Sequence, residues 1–323
     1  MNSFSIGLTA LRAHQQSLEI LGNNVANAST PGYHRQRPEL VNDVGVRVAR
    51  ITRMKNDSVE TALLRNNSLS GYSQQSLDVA TQIESILTPS ETSIHANISE
   101  FFNRLEKVAN APQDMSVRAE MLSSAQELTN GFAHLDQALL ELDGDTHAAL
   151  EDGLAEVNRL ITHIADINQQ IFIARGQQKE PNDLVDQRDR LMGELAQWME
   201  VDLATNESGK EYVIAGGGTS IIGQNGAGFQ LTENSDGDLA VTQSAMHLEV
   251  PMNSGKLKAL LEATNRTIPD ARDRLNSFAQ QVVQAVDEQH AKGLPDSGPF
   301  VSLLGTRSVG DVNAPLLYAE TAF

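Results

Sequence analysis

The densest group of titratable side chains in the sequence is Asp183, Asp186, Arg188, Asp189 and Arg190, which a helical repeat would crowd onto one short stretch of helix. Carboxylates beside cations can act as general acid and base when a substrate is held between them. The run begins two residues after Pro181, however, and a capped, ion-paired helix start needs the same residue types in the same places. Ion pairing is the simpler reading. Gly216, Gly217 and Gly218 ahead of Thr219 and Ser220 resemble a phosphate cradle, but no Lys-Ser/Thr follows at P-loop spacing and no helical pattern opens there, so a turn is expected. Asn234, Asp236 and Asp238 imitate the opening of a Ca²⁺ loop, yet the glycine falls at the fourth position instead of the sixth and no Glu closes the loop. A hairpin turn is expected here too.

The eight histidines (14, 34, 95, 134, 147, 163, 247, 290) are scattered, with no His-Glu-x-x-His pair, and there is no cysteine to supply a thiolate. No nucleophile, base and orienting group can be assembled from neighbours in this sequence. The reading is of a non-enzyme, with no cofactor and no metal.

What must position any functional residue is a set of helices. Aromatic residues are 4% of the 323, and Leu, Ile, Val and Ala supply most of the apolar side chains, a mix that packs helix on helix. From Phe4 to Val25 the residues Phe4, Leu11, Leu18 and Val25 recur every seventh position, with Leu8 and Leu21 on the same face. This is an amphipathic helix that Asn27, Ser29, Thr30, Pro31 and Gly32 end with turn chemistry. Burying the four seven-spaced residues contributes roughly 6–12 kcal/mol, less than ordering about 24 residues costs. Alone the helix is marginal and needs a cover.

Further along, Val44 to Val48 alternate as a short strand would. Helical patterns follow from Asp57 to Thr88, from Ile94 to near Pro112, and from about Asp114 through Leu142, Leu150, Leu154, Val157, Ile161, Ile164, Asn168 and Ile171. The last keeps its phase past Gly131, Gly144 and Gly153, and so reads as one very long helix, with a kink allowed at Gly144 or Gly153. Leu184, Leu191, Leu195 and Trp198 mark another. Residues 201–252 turn rich in Gly, Thr, Ser and Asn with short apolar runs, and Asp236-Gly237 is a hairpin signal. A last helical stretch runs from Gly255 to His290.

The fold class expected is mainly α: a long antiparallel helical bundle or coiled coil, a small inserted β-domain and a mobile N-terminal amphipathic helix. The divisions expected are 1–56 (axial helix and connector), 57–200 (long helices), 201–254 (β-rich) and 255–323 (returning helix and C-terminal loop packing on the helical domain). Residues 1–40 or so are expected to be flexible until something covers the stripe.

Charge narrows the partners. The formal net charge of −18 argues against a nucleic-acid binder, which needs clustered cations. Residues 1–56 hold seven Arg/Lys against three acids, net +4, leaving −22 on the remainder. No apolar run approaches the roughly 18 residues of a membrane span, so no membrane insertion is expected. The first cation is Arg12 and no unbroken apolar run follows it, so a cleavable signal peptide is not expected.

Ser3 to Leu11, Leu21 to Ala26 with Asn23 and Asn24, then Asn27, Thr30, Pro31, Gly32, Tyr33, Arg35 and Gln36 together resemble the N-terminal signature of the flagellar axial proteins, the rod, hook and hook-associated family. The run Gly45 to Val48 with Ile51 and Arg53, the pair Phe101-Phe102, Asn182 to Asp189, and Phe278 to Gly298 resemble the hook-associated branch at the hook–filament junction. The resemblance implies a structural subunit exported by the flagellar type III system to the extracellular flagellum. It also implies self-association in a ring, contacts with the hook protein and the next hook-associated protein, and binding to the export apparatus and its chaperone. Phe4, Leu8, Leu11, Leu18, Leu21 and Val25 would form the assembly interface. The family pairs its N-terminal helix with a helix at the far C-terminus, which the sequence to Phe323 does not supply, nor the chaperone site placed there. A rod- or hook-type axial protein and an intracellular coiled-coil scaffold remain the alternatives.

Overall fold

The structure, a computed structural model, describes residues 3–30, 32–43, 45–88, 94–205, 211–215, 219–220, 228–244 and 248–291. By internal contacts the chain divides into two units, Met1–Leu275 and Asn276–Phe323. The fold is mainly α with small antiparallel sheets.

Helix α1 (Ser3–Ala26) leads into a hairpin of β1 (Gln36–Asp43) and β2 (Gly45–Arg53). The alternation at 44–48 anticipated a single strand. The partner β1 escaped notice because it carries Pro38, which a two-stranded ribbon tolerates since every strand in it is an edge. A register shift between Glu39 and Leu40 marks a bulge in β1.

Helix α2 (Asp57–Leu87) starts at Asn56, whose side chain accepts from Ser58 N–H, and α3 (Ile94–Asn110) follows. Helix α4 (Met115–Gly176) is one uninterrupted helix of 62 residues, roughly 90 Å long, started by Asp114, which accepts from the Ser116 and Val117 N–H groups. Helix α5 (Asn182–Trp198) returns after a short turn.

Two three-stranded antiparallel sheets then form, β3 (Val201–Thr205), β4 (Glu211–Ala215) and β5 (Thr219–Ser220) in one, and β6 (Phe229–Glu233), β7 (Leu239–Gln243) and β8 (Leu248–Glu249) in the other. They share a core with the helices. The α4 stripe from Leu150 to Ile171 packs with Leu191 and Leu195 of α5, Val201, Val213 and Ala215 of the first sheet, and Phe229 and Val241 of the second. Two asparagines pin the second sheet to helical elements as a neighbouring strand would. Asn158 of α4 donates to Phe229 O (2.9 Å) and accepts from Phe229 N–H (2.7 Å), while Asn265 donates to Leu239 O (2.8 Å) and accepts from Leu239 N–H (2.9 Å).

The last helical stretch is interrupted. Helix α6 (Lys256–Glu262) passes through a π turn at Ala263–Thr267 into α7 (Ile268–Ala291), which apolar spacing alone did not reveal. Ile268 and Leu275 are buried in the first unit; of the second unit the described residues are 276–291 of the same helix.

Candidate assembly surface

Helix α1 has two unlike faces. Thr9, Ala13, Ser17, Ile20, Asn24 and Asn27 recur at spacings of three and four and lie at least partly buried, and the helix packs on the β1–β2 hairpin. Ala13 is 3% and Ile20 6% exposed. Small side chains let the helix approach the ribbon closely, and Ser17 Oγ–H turns its polarity inward by donating to Ala13 O (2.8 Å). The six stripe residues point elsewhere: Phe4, Leu8, Leu11, Leu18, Leu21 and Val25 are 42–82% exposed. The apolar periodicity drew attention to the stripe and away from the seat, whose residues other than Ile20 are small or polar and carry little hydrophobic signal. The helix expected to stay flexible until its stripe is covered is thus seated on the hairpin of its own chain, by the face opposite the stripe.

The signature residues close the turn after α1 and fix where the hairpin starts. Asn24 acts like a strand: its Nδ2 donates to Gln36 O (2.8 Å), its Oδ1 accepts from Gln36 N–H (2.8 Å), and Tyr33 O–H donates to the same oxygen (2.9 Å). Asn27 Nδ2 donates to Asn23 O (3.0 Å), and Thr30 O–H donates to Asn27 Oδ1 (3.3 Å). Gly32 has φ +76°, and a Cβ there would overlap the side-chain stem of Arg190. Pro31 lies outside the described residues. Burial pushes the Tyr33 hydroxyl pKa up, and the charges of Asp186 and Asp183 push it further. Replacing Asn24 by Ala leaves the Gln36 amide and carbonyl without their side-chain partner. Each such loss costs about 1–3 kcal/mol, so amide exchange at Gln36 and along α1 is expected to accelerate about tenfold or more.

The charged run of α5 meets the hairpin. Arg53 Nε donates to Asp186 Oδ1 (2.6 Å) and its Nη2 to Asp189 Oδ2 (2.5 Å). His34 lies between two acids, Nε2 at 2.8 Å from Glu60 Oε1 of α2 and Nδ1 at 3.2 Å from Asp186 Oδ1. Arg188 pairs with Asp189 (2.9 Å) and with Glu211 of β4, and Asn182 Nδ2 donates to Ile51 O (3.1 Å). The sequence showed that this run would form ion pairs; it did not show that His34, Arg53 and Glu60 are among the partners. Burial pushes the Asp189 carboxyl up, but Arg188 and Arg53, by charge and hydrogen bonds, outweigh it and hold the group below its ordinary 3.8. A depressed folded pKa contributes stability above the unfolded value that is lost as pH falls through the folded one. The urea midpoint is therefore expected to fall between pH 4 and pH 2 by more in the parent than in Asp189→Asn, since the variant has no carboxyl there to protonate.

The other candidates resolve into structure. Asn234 Oδ1 accepts from the Asp236 (3.0 Å) and Asp238 (2.9 Å) N–H groups, so the apparent Ca²⁺ loop is a hairpin turn, with Gly237 at φ +83°. The Gly216–Gly218 segment and His247 lie outside the described residues. Among the described residues no group of three or more His, Asp and Glu is placed to hold a metal, and no helix is long and apolar enough to cross a membrane.

A family model described as the flagellar hook-associated protein FlgK helical domain matches residues 80–300. The chain belongs to the FlgK family. A second model, the flagella basal body rod protein, matches residues 4–34, the stretch of α1 and its signature turn. Among FlgK relatives, flagellar hook-associated protein 1 of Salmonella typhimurium is 26% identical over 319 residues, covering 90% of this chain and 57% of the relative. The protein of the same name from Bacillus subtilis is 24% identical, with 90% and 67% covered. A solved structure, the flagellar hook junction protein FlgK from Burkholderia pseudomallei, superposes with a TM-score of 0.53 at 26% identity, covering 66% of this chain and 40% of that one. The chain thus spans little more than half the length of the Salmonella relative it matches.

Proposed function

We propose that this chain is a structural subunit of the bacterial flagellum at the hook–filament junction, exported by the flagellar type III system and needed for filament assembly and motility. The observation that carries the reading is the α1 stripe, six large apolar residues left open on a helix whose other face is already seated. A 3.5-residue apolar repeat suits a partner helix that supercoils with it, and repeated copies around a ring supply one. Membership of the FlgK family supports the position, since relatives carry hook-associated and hook junction names. On this reading the chain is no enzyme, and its partners are its own copies, the hook protein, the next hook-associated protein and the export apparatus with its chaperone. Antibody labelling of sheared flagella is expected to mark one band between hook and filament. Label confined to the cytosol of flagellated cells would overturn the proposal. The match of residues 4–34 to a rod protein favours one other reading, a rod- or hook-type axial subunit; label along the whole rod or hook would select it.

A further inference from the structure

We propose that residues 3–53 form a preassembled arm held on the body by a single ionic latch, and that opening the latch frees the arm as a unit while both parts stay folded. The arm coheres by itself. Its ribbon pairs from Gln36↔Arg53 to Asp43↔Gly45, α1 sits on that ribbon by its small-residue face, and Asn24 ties the helix to Gln36. The body holds its own core, and among the described residues none before Leu64 enters either hydrophobic cluster.

The contacts described between the two are mainly polar. His34 and Arg53 on the arm face Glu60, Asp186 and Asp189 on the body, Asn182 donates to Ile51 O, and Gly32 lies against the stem of Arg190. The covalent link is short: Met54 N–H still donates to Arg35 O (2.9 Å) and Asn56 already caps α2, which leaves Lys55 as the joint. The latch charges are largely withdrawn from water, Arg53 and Asp186 being 7% and 8% exposed at their side chains. Removing charges from water costs nearly what their attraction returns, whereas stranding one partner is strongly unfavourable. Such a joint is firm when complete and opens as a whole when one side is neutralised; an apolar seam would instead weaken gradually. The latch fixes the direction in which α1 presents its open face, whatever eventually covers that face.

The absence of cysteine allows two to be introduced cleanly. Spin labels on Ala49→Cys of β2 and Gln170→Cys of α4, both exposed positions, are expected to give one narrow distance distribution in the otherwise unaltered chain. Adding Asp186→Asn with Asp189→Asn is expected to widen it at least twofold, while amide protection along the β1–β2 ladder stays within about threefold of the parent. Glu60→Gln, which neutralises a less buried carboxylate, is expected to widen it less and serves if the double variant does not fold. A distribution unchanged by either variant, one already broad in the parent, or a ladder that loses protection when the arm is released would each overturn the latch. None of these readouts depends on flagellar assembly, so the result stands apart from the proposed function.

Discussion

Leu11→Asp and Leu18→Asp are each expected to leave the helical body folded and to abolish swimming. Both side chains are mostly exposed, 69% and 67%, and touch neither core cluster. Replacing an exposed Leu within a helix by Asp costs roughly 0.5 kcal/mol of propensity, so the thermal midpoint should move by less than about 3 °C. In an assembled helical seam the same change removes about 1.5–3 kcal/mol of apolar burial and leaves a carboxylate that hydrocarbon contacts cannot satisfy, at several kcal/mol more. At 1.4 kcal/mol per factor of ten, one substitution weakens each such contact by about a thousandfold or more, and in the proposed ring every copy would carry it. Swimming halos in soft agar, read beside melting curves of the purified chain, separate the two effects. Normal halos with either variant would remove the stripe from the assembly surface.

Gly71→Ala is expected to destabilise the fold by about 2–3 kcal/mol, lowering the midpoint by about 5–10 °C. Considered as a helix position alone, Gly71 lies inside α2, where Ala is better by about 1 kcal/mol. In the fold, a Cβ at Gly71 would overlap the carbonyl oxygen of Gln197 near the end of α5. That neighbour is backbone and cannot rotate away. The surroundings are equally tight, with Ser68 Oγ 2.5 Å from Ser254 Oγ and Gly255 N–H donating to Ser68 O at 3.1 Å. Gly255 itself has φ +91° against the Trp198 carbonyl. Separating α2 from α5 by one methyl would loosen all of these together. A midpoint raised by Gly71→Ala would show that the close approach does not exist in solution.

The sequence alone determined where the helices lie, because the signals are local. Seven-residue spacing defined α1, the unbroken phase through Ile171 defined α4, and the patterns opening at Asp57, near Asp114 and after Pro181 coincide with helix starts. It also exposed the stripe, since an amphipathic face is a property of one helix. The signature asparagines were legible as turn residues, but the capture of both Gln36 backbone groups by Asn24 depends on how the chain turns back.

Tertiary structure decided the rest. Apart from Ile20, the α1 seat is built of Thr, Ala, Ser and Asn, whose burial no hydrophobic count predicts. The π turn at Ala263–Thr267 escapes a periodicity reading because Leu261, Ile268 and Leu275 are spaced along the sequence as they would be in an unbroken helix. His34 and Arg53 lie 152 and 133 residues from Asp186, and nothing local ties them together. Gly71 reads as a weak point of α2 until α5 is laid across it. Periodicity reports which side of an element avoids water. Which group lies against that side, and at what distance, is set when distant segments meet, and the charges and glycines of this chain take their meaning there.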